Sequence, residues 1–205
     1  MADEAGVAAI EADLAAQGVR VHSMEVDLSS AESPKHVMQR ASERLGTPTI
    51  LVNNAAHWAA GGIGDLIASE LDRHYAVNVR AMALLCTEFV RAYPAGPGGR
   101  IINLTSGQSV GPMPDELAYA TTKGAIEAFT TSLAAAVASR GITVNAVDPG
   151  ATDTGWITDE LRAQLVRQMG MGRVGQPEDA ARLIAFLASE AGGWITGQVI
   201  HSRGG

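Results

Sequence analysis

Arg100-Ile-Ile-Asn-Leu-Thr-Ser106 is the stretch on which the fold turns. It is too short for a helix of ordinary length and has apolar residues at its heart, so it reads as a buried strand. Ligands in parallel α/β sheets gather at the carboxyl ends of the strands, which makes Ser106 a hydroxyl delivered to a ligand site. Thirteen residues later, Tyr119-Ala-Thr-Thr-Lys123 opens a run that reads as a long helix over 118–139, with Ile126, Phe129, Leu133 and Val137 as its core stripe. Residues four apart on a helix share one face, one turn apart. An ammonium beside a phenol favours the phenolate. Lys123 is therefore expected to pull the Tyr119 pKa below its usual value of about 10, as a tyrosine acid or base requires. Lys35 and Lys123 are the only lysines and there are three tyrosines, so chance pairings at this spacing are uncommon.

Outward from this stretch, apolar strands alternate with helical patterns. Thr49-Ile-Leu-Val52 is a short strand that turns off through Asn53-Asn54-Ala55-Ala56, and Ile142-Thr-Val-Asn-Ala-Val147 is another that turns off through Asp148-Pro149-Gly150. Residues 157–175 hold a short amphipathic helix and a glycine- and methionine-containing tail of lid-like composition. Gln176-Pro177 opens a last helix to Glu190, and Gly197-Gln-Val-Ile-His-Ser202 is a closing strand. Such alternation predicts a parallel sheet with helices on both faces. Towards the N-terminus, residues 3–17 read as a helix with Asp3 and Glu4 in its first turn and Val7, Ile10 and Leu14 on one face. Val19 to Val26 reads as a strand closed by Asp27-Leu28, and Ser33-Pro34 as a cap and first-turn proline. Ser69 is expected to cap Glu70 to Tyr75, ahead of a helical pattern that carries Asn78 to Tyr93.

Composition narrows the function. A chain of 205 residues with 46% hydrophobic and 18% charged residues fits one domain with a substantial core. A net charge of -7 disfavours nucleic-acid and anionic-membrane partners. The single cysteine, Cys86, lies in an apolar helical run and reads as a buried thiol in a reducing compartment. Histidine spacing points to no metal site. No run of about 18 apolar residues and no signal-peptide pattern are encoded, so the expected location is cytoplasmic.

Ser106, Tyr119 and Lys123, together with Asn53-Asn54-Ala55-Ala56, Asn78 in Asn78-Val79-Arg80, and Pro149-Gly150, resemble the short-chain dehydrogenase/reductase family from about Asp27 onward. Each motif alone is weak, but they stand in family order at family spacing. The resemblance implies a Rossmann-like, doubly wound parallel sheet and an oxidoreductase that uses NAD or NADP to interconvert an alcohol and a carbonyl. It assigns Tyr119 as proton donor or acceptor, Lys123 as the group that tunes it and holds the nicotinamide ribose, Ser106 as the polariser of the substrate oxygen, and Asn78 as the anchor of a relay water. It places Asp27 at the adenine, unless that residue simply starts a turn, and adds Leu28, Asn53, Ala55, Pro149, Gly150 and Thr154 to the cofactor site. Ala56 stands where the family usually has glycine. His57, Trp58, Gln108 and Trp156, in the loops that follow the strands, are the candidates for touching a substrate. The family also implies a homodimer or homotetramer built on helices 78–93 and 118–139.

The family begins with a strand, a Gly-rich turn of the Thr-Gly-x-x-x-Gly-x-Gly kind, a helix and a second strand, and these are missing here. Gly61-Gly62-Ile63-Gly64 is no substitute, because it neither leaves a strand directly nor opens a helix. The fold is thus expected to lack its first βαβ portion, and the choice between NAD and NADP is not legible. The strand at 19–26 is left to slide beside 49–53 or stay loose, unless the chain is an incomplete copy of a longer protein. A rival to the enzyme reading follows from the same gap: a catalytically inactive scaffold or association module that cannot hold the dinucleotide.

Overall fold

The computed structural model describes residues 4–94 and 96–205. Four strands, β1 (Ile50–Asn53), β2 (Gly99–Leu104), β3 (Ile142–Asp148) and β4 (Val199–His201), are hydrogen-bonded in that order, and every pairing is parallel. Both β2 and β3 are buried along their whole length, which is why they read as apolar runs without clean alternation. Successive side chains of a strand point to opposite faces. Ile101 accordingly enters a core cluster with Met38, Leu85, Phe89, Ile126 and Val144, and Ile102 enters a second with Leu104, Val147 and Leu187. The first cluster lies under α2 (Ser33–Leu45), α4 (Met82–Ala92) and α5 (Leu117–Val137); the second lies under α7 (Pro177–Ala188). Helices on both faces of a parallel sheet are the architecture expected from the sequence.

Several local expectations are corrected. Ser33 does not cap α2: the cap position is Glu32, and the Ser33 hydroxyl donates to the Asp27 carbonyl at 2.6 Å, while Pro34 takes its place in the first turn. Nor does Ser69 cap a helix starting at Glu70, because α3 (Ala68–His74) already contains it. α3 runs without a break into a π-helical segment, Tyr75–Ala81, and then into α4. A π turn is a one-residue widening of the helix that re-aims the side chains after it, and Asn78 sits in its middle.

The strand expected at 19–26 makes no ladder with any described residue. Ser23 is held by its amide and hydroxyl on Glu11 Oε1 (3.1 and 2.6 Å), and Arg20 reaches the Leu45 carbonyl at 3.2 Å. β-Branched residues favour a strand only where a neighbouring strand accepts their hydrogen bonds, and none of the described residues provides one. Met24, Val26 and Leu28 instead line a cleft of about 300 Å³ together with Leu51 and Asn53 of β1. The helix α1 (Glu4–Ala16) lies within the predicted 3–17, and Asp3 falls outside the described residues. Its Val7 and Ile10 are exposed and Leu14 is half-buried, so the apolar face read from the sequence is largely uncovered.

Candidate active site

The end of β2 and the start of α5 bring the central residues together. Ser106 follows β2 in extended backbone, φ -153° and ψ -172°, just before a short 3₁₀ turn at Gly107–Ser109. Glu127 of α5 fastens this loop: its Oε1 accepts from Thr105 (3.1 Å), Gln108 (2.6 Å) and Ser109 (3.1 Å). Tyr119 and Lys123 lie on the first turns of α5, with the Lys123 ammonium 5.4 Å from the centroid of the Tyr119 ring. That ammonium is buried and donates to the Leu104 carbonyl, one of the last on β2, at 2.8 Å. An ammonium has three N–H donors, so Lys123 keeps donors for a further acceptor.

The electrostatics differ from the sequence expectation in one respect. Tyr119 is pushed above its ordinary value, chiefly by burial of the phenol; the Ser106 hydroxyl pulls it back down, and the charges of Glu116 and Asp148 add to the rise. The lowering expected from Lys123 is outweighed by this burial; its ammonium lies over the ring, 5.4 Å from the centroid. Burial acts on the lysine as well and lowers it to about 8. Lys123 is therefore still cationic at neutral pH and sheds its charge in mild alkali.

Asn78 is fully committed on its donor side. Its Nδ2 donates to the His57 carbonyl (2.9 Å) and to the Thr122 hydroxyl (3.0 Å), while its Oδ1 accepts from the His57 amide (2.7 Å). A single amide on the π turn thus clamps the loop after β1 to the helix that carries Tyr119. Sequence reading missed two residues beside this clamp. His74, buried, has its ring 6.5 Å from the Tyr119 ring and 4.5 Å from that of His57. Its Nε2 accepts from the Ala59 amide (3.2 Å) and its Nδ1 lies 2.8 Å from the Glu70 carbonyl, so the ring holds the same loop. The ligand atoms of His57, Glu70 and His74 all lie within 4.8 Å of one another, but both His74 nitrogens are already engaged. The i,i+4 spacing of Glu70 and His74 was a signal in the sequence for one helical face.

The remaining candidates divide. Leu28, Asn53 and Ala55 line the cleft beside β1. The Asn53 side chain, though, donates to Asn103 Oδ1 (2.9 Å) and to the Cys86 sulfur (3.3 Å), within the core; Cys86 is buried and its thiol is pushed up to about 12 by that burial. Asp27 starts a turn at Ser29. Its carboxylate, lowered by its contacts with Ser29, accepts from the Ser29 hydroxyl (2.9 Å) and amide (2.8 Å). Arg80 donates to the Ser29 carbonyl and ties this turn to the π segment. Pro149 and Gly150 turn off β3 as expected, with Gly150 at φ +65°, and Thr154 is exposed. Trp58 and Trp156 are exposed at the strand-end loops, and the Trp156 indole donates to the Thr152 carbonyl at 2.9 Å. Gln108 is turned away, onto Glu127 and Thr105.

A family described as enoyl-(acyl carrier protein) reductase matches residues 1–205. A Bacillus subtilis (strain 168) protein called uncharacterized oxidoreductase YjdA is 53% identical over 205 residues, covering 99% of this chain and 82% of its own. Among solved structures, the promiscuous reductase LugOII, which catalyses keto-reduction at C1 during lugdunomycin biosynthesis, superposes with a TM-score of 0.91 at 38% identity, over 100% of this chain and 84% of its own. The angucycline C-6 ketoreductase LanV with bound NADP gives 0.89 at 34% identity, over 100% and 83%. The chain belongs to the short-chain dehydrogenase/reductase family and is an oxidoreductase by that membership.

Proposed function

We propose that the protein is an NAD(P)-dependent carbonyl reductase, reversible to alcohol oxidation, in which Tyr119 handles the proton. The observation that carries this reading is the convergence of Ser106 and Lys123 on Tyr119 from the ends of β2 and α5. The residues fit the nicotinamide-ribose end of a dinucleotide: the buried Lys123 ammonium has N–H donors to spare beyond its bond to Leu104, and Pro149-Gly150 turns the chain off the end of β3. Among the described residues no glycine-rich turn leads from a strand into a helix at the cleft beside β1, so the pyrophosphate end has no such partner there. A bound nicotinamide dinucleotide supplies hydride. The protein's share is proton handling and position: the Ser106 hydroxyl donates to the substrate carbonyl oxygen, and Tyr119 then delivers a proton to the same oxygen. Lys123 keeps a positive charge beneath the ring at neutral pH, and Asn78 holds the His57 loop against α5.

The substrate is an apolar, bulky carbonyl compound. Trp58, Val110, Trp156 and Met171 come from different loops at the carboxyl ends of the strands, and each is more than half exposed. Exposed aromatic and apolar side chains in the loops at the ligand end of such a sheet suit a hydrophobic ligand. The ketoreductase names of LugOII and LanV support the same reading, and the enzyme names of the relatives weigh against an inactive scaffold. The test is NADPH consumption by the purified chain across a series of ketones of rising apolar area. Turnover efficiency should rise with ring count and fall at least several-fold in Trp156→Ala for the largest members. Equal efficiency towards small hydrophilic ketones would remove the substrate assignment.

A further inference from the structure

We infer that Glu127 is a positioning residue for the Ser106 hydroxyl, holding the turn that bears it against the helix that bears Tyr119. The inference rests on the proposed roles of Ser106 and Tyr119. Residues 119, 123 and 127 are spaced by four along α5 and so share one face. Glu127 extends that face one turn beyond Lys123.

The contacts of Glu127 fall on both sides of Ser106. Its Oε1 accepts from Thr105 Oγ1 (3.1 Å), immediately before the serine, and from Gln108 Nε2 (2.6 Å) and Ser109 Oγ (3.1 Å) after it. Thr105 Oγ1 also lies 3.2 Å from the Lys123 carbonyl, so whichever acceptor takes its one hydrogen is on α5. Gln108 Nε2 donates to Thr105 Oγ1 as well, at 3.2 Å, which bonds the two flanks of the serine to each other. Three donors on one oxygen suit an ionised carboxylate, whose hydrogen bonds are about twice as strong as those of a neutral acceptor.

The backbone completes the frame. The Thr105 amide donates to the Val147 carbonyl of β3 at 2.9 Å, and the Val110 and Gly111 amides close the turn on the Gly107 carbonyl at 2.9 and 3.1 Å. A side chain at Gly107 would collide with Arg203 Nη1, which donates to the buried Asp148 carboxylate at 2.9 Å, where His201 Nδ1 also lies at 2.8 Å. Gln108, read from the sequence as a substrate contact, is part of this fastening. Ser106 thus stands between two fixed points, and precision there matters because a misplacement of about 1 Å can cost about 10²-fold in rate.

Glu127→Ala removes the three contacts at a partly exposed helical position where alanine keeps the helix, and Glu127→Gln keeps an oxygen but loses the charge. Amide hydrogen exchange at residues 107–110 needs neither cofactor nor turnover; it should be fastest in Glu127→Ala and intermediate in Glu127→Gln. In NADPH-dependent ketone reduction, Glu127→Ala should lower kcat by about 10- to 100-fold and leave the KM for NADPH at the parent value, with Glu127→Gln recovering part of the loss. Ser106→Ala separates positioning from general destabilisation: a residue that acts through the Ser106 hydroxyl costs no further rate once that hydroxyl is gone. A Ser106→Ala protein that turned over at the parent rate would remove the reading of the site, and the inference with it. With Ser106→Ala impaired, parent exchange rates at 107–110 in Glu127→Ala, or an equal loss of kcat from Glu127→Ala with and without the Ser106 hydroxyl, would overturn the inference alone.

Discussion

Burial of Lys123 makes this residue a stability cost. Its folded value of about 8 lies below the ordinary lysine value of about 10.4, so between these limits the folded chain binds fewer protons than the unfolded one. Stability from this group therefore rises with pH through that window, and the penalty is present in full below it. Lys123→Met should be more stable than the parent at pH 7, by about 1–3 kcal/mol, with the advantage fading as pH approaches 10. Urea denaturation at several pH values measures this, and superimposable profiles for the two proteins would contradict it. At this scale the pairing of Tyr119 and Lys123 was legible from five residues of sequence. Its electrostatic sense was not, because the burial that raises the phenol comes from how the start of α5 packs in the fold and not from the spacing of the pair. Asp148, His201 and Arg203 carried no local signal at all, since their contacts span 53 and 55 residues.

Among the elements, the π segment matters most to the site. Asn78 occupies a buried position that apolar periodicity would give to a leucine, and its three hydrogen bonds explain the amide. Asn78→Ala would leave the Thr122 hydroxyl and the His57 backbone without their partner, at a cost of about 1–3 kcal/mol. Amide hydrogen exchange at His57 should accelerate strongly, and unchanged protection there would show that the loop is held by other contacts. The π turn itself was not legible, because a single-residue shift in hydrogen bonding leaves the apolar pattern of 79–90 nearly intact. The strand at 19–26 failed for the opposite reason: its residue types were right, but a strand is a property of a pair.

For the whole molecule, the parallel sheet and its two helical layers were readable because β2 and β3 are apolar runs and helical patterns alternate with the strands. The family resemblance implies assembly through helices 78–93 and 118–139, and the exposed surface adds a second apolar region to that expectation. Trp194 is 98% exposed in the turn after α7, and Phe186 of α7 is exposed as well. Covering a tryptophan removes more apolar area from water than covering any small residue of α5. We expect a dimer or tetramer at tens of micromolar by light scattering, weakened by Trp194→Ser. A monomeric parent would contradict this.

The central claim is that Tyr119 moves the proton, and Tyr119→Phe tests it most directly in any form of the protein that binds NAD(P)H. The substitution removes one hydroxyl and keeps the ring packed beside His74 and Lys123, so circular dichroism and cofactor affinity should stay at parent values. The expected result is a fall in the rate of ketone reduction of about 10² to 10⁴, the usual contribution of general acid catalysis. A Tyr119→Phe protein that reduced the same ketones at the parent rate would contradict the assignment of Tyr119 as the proton donor.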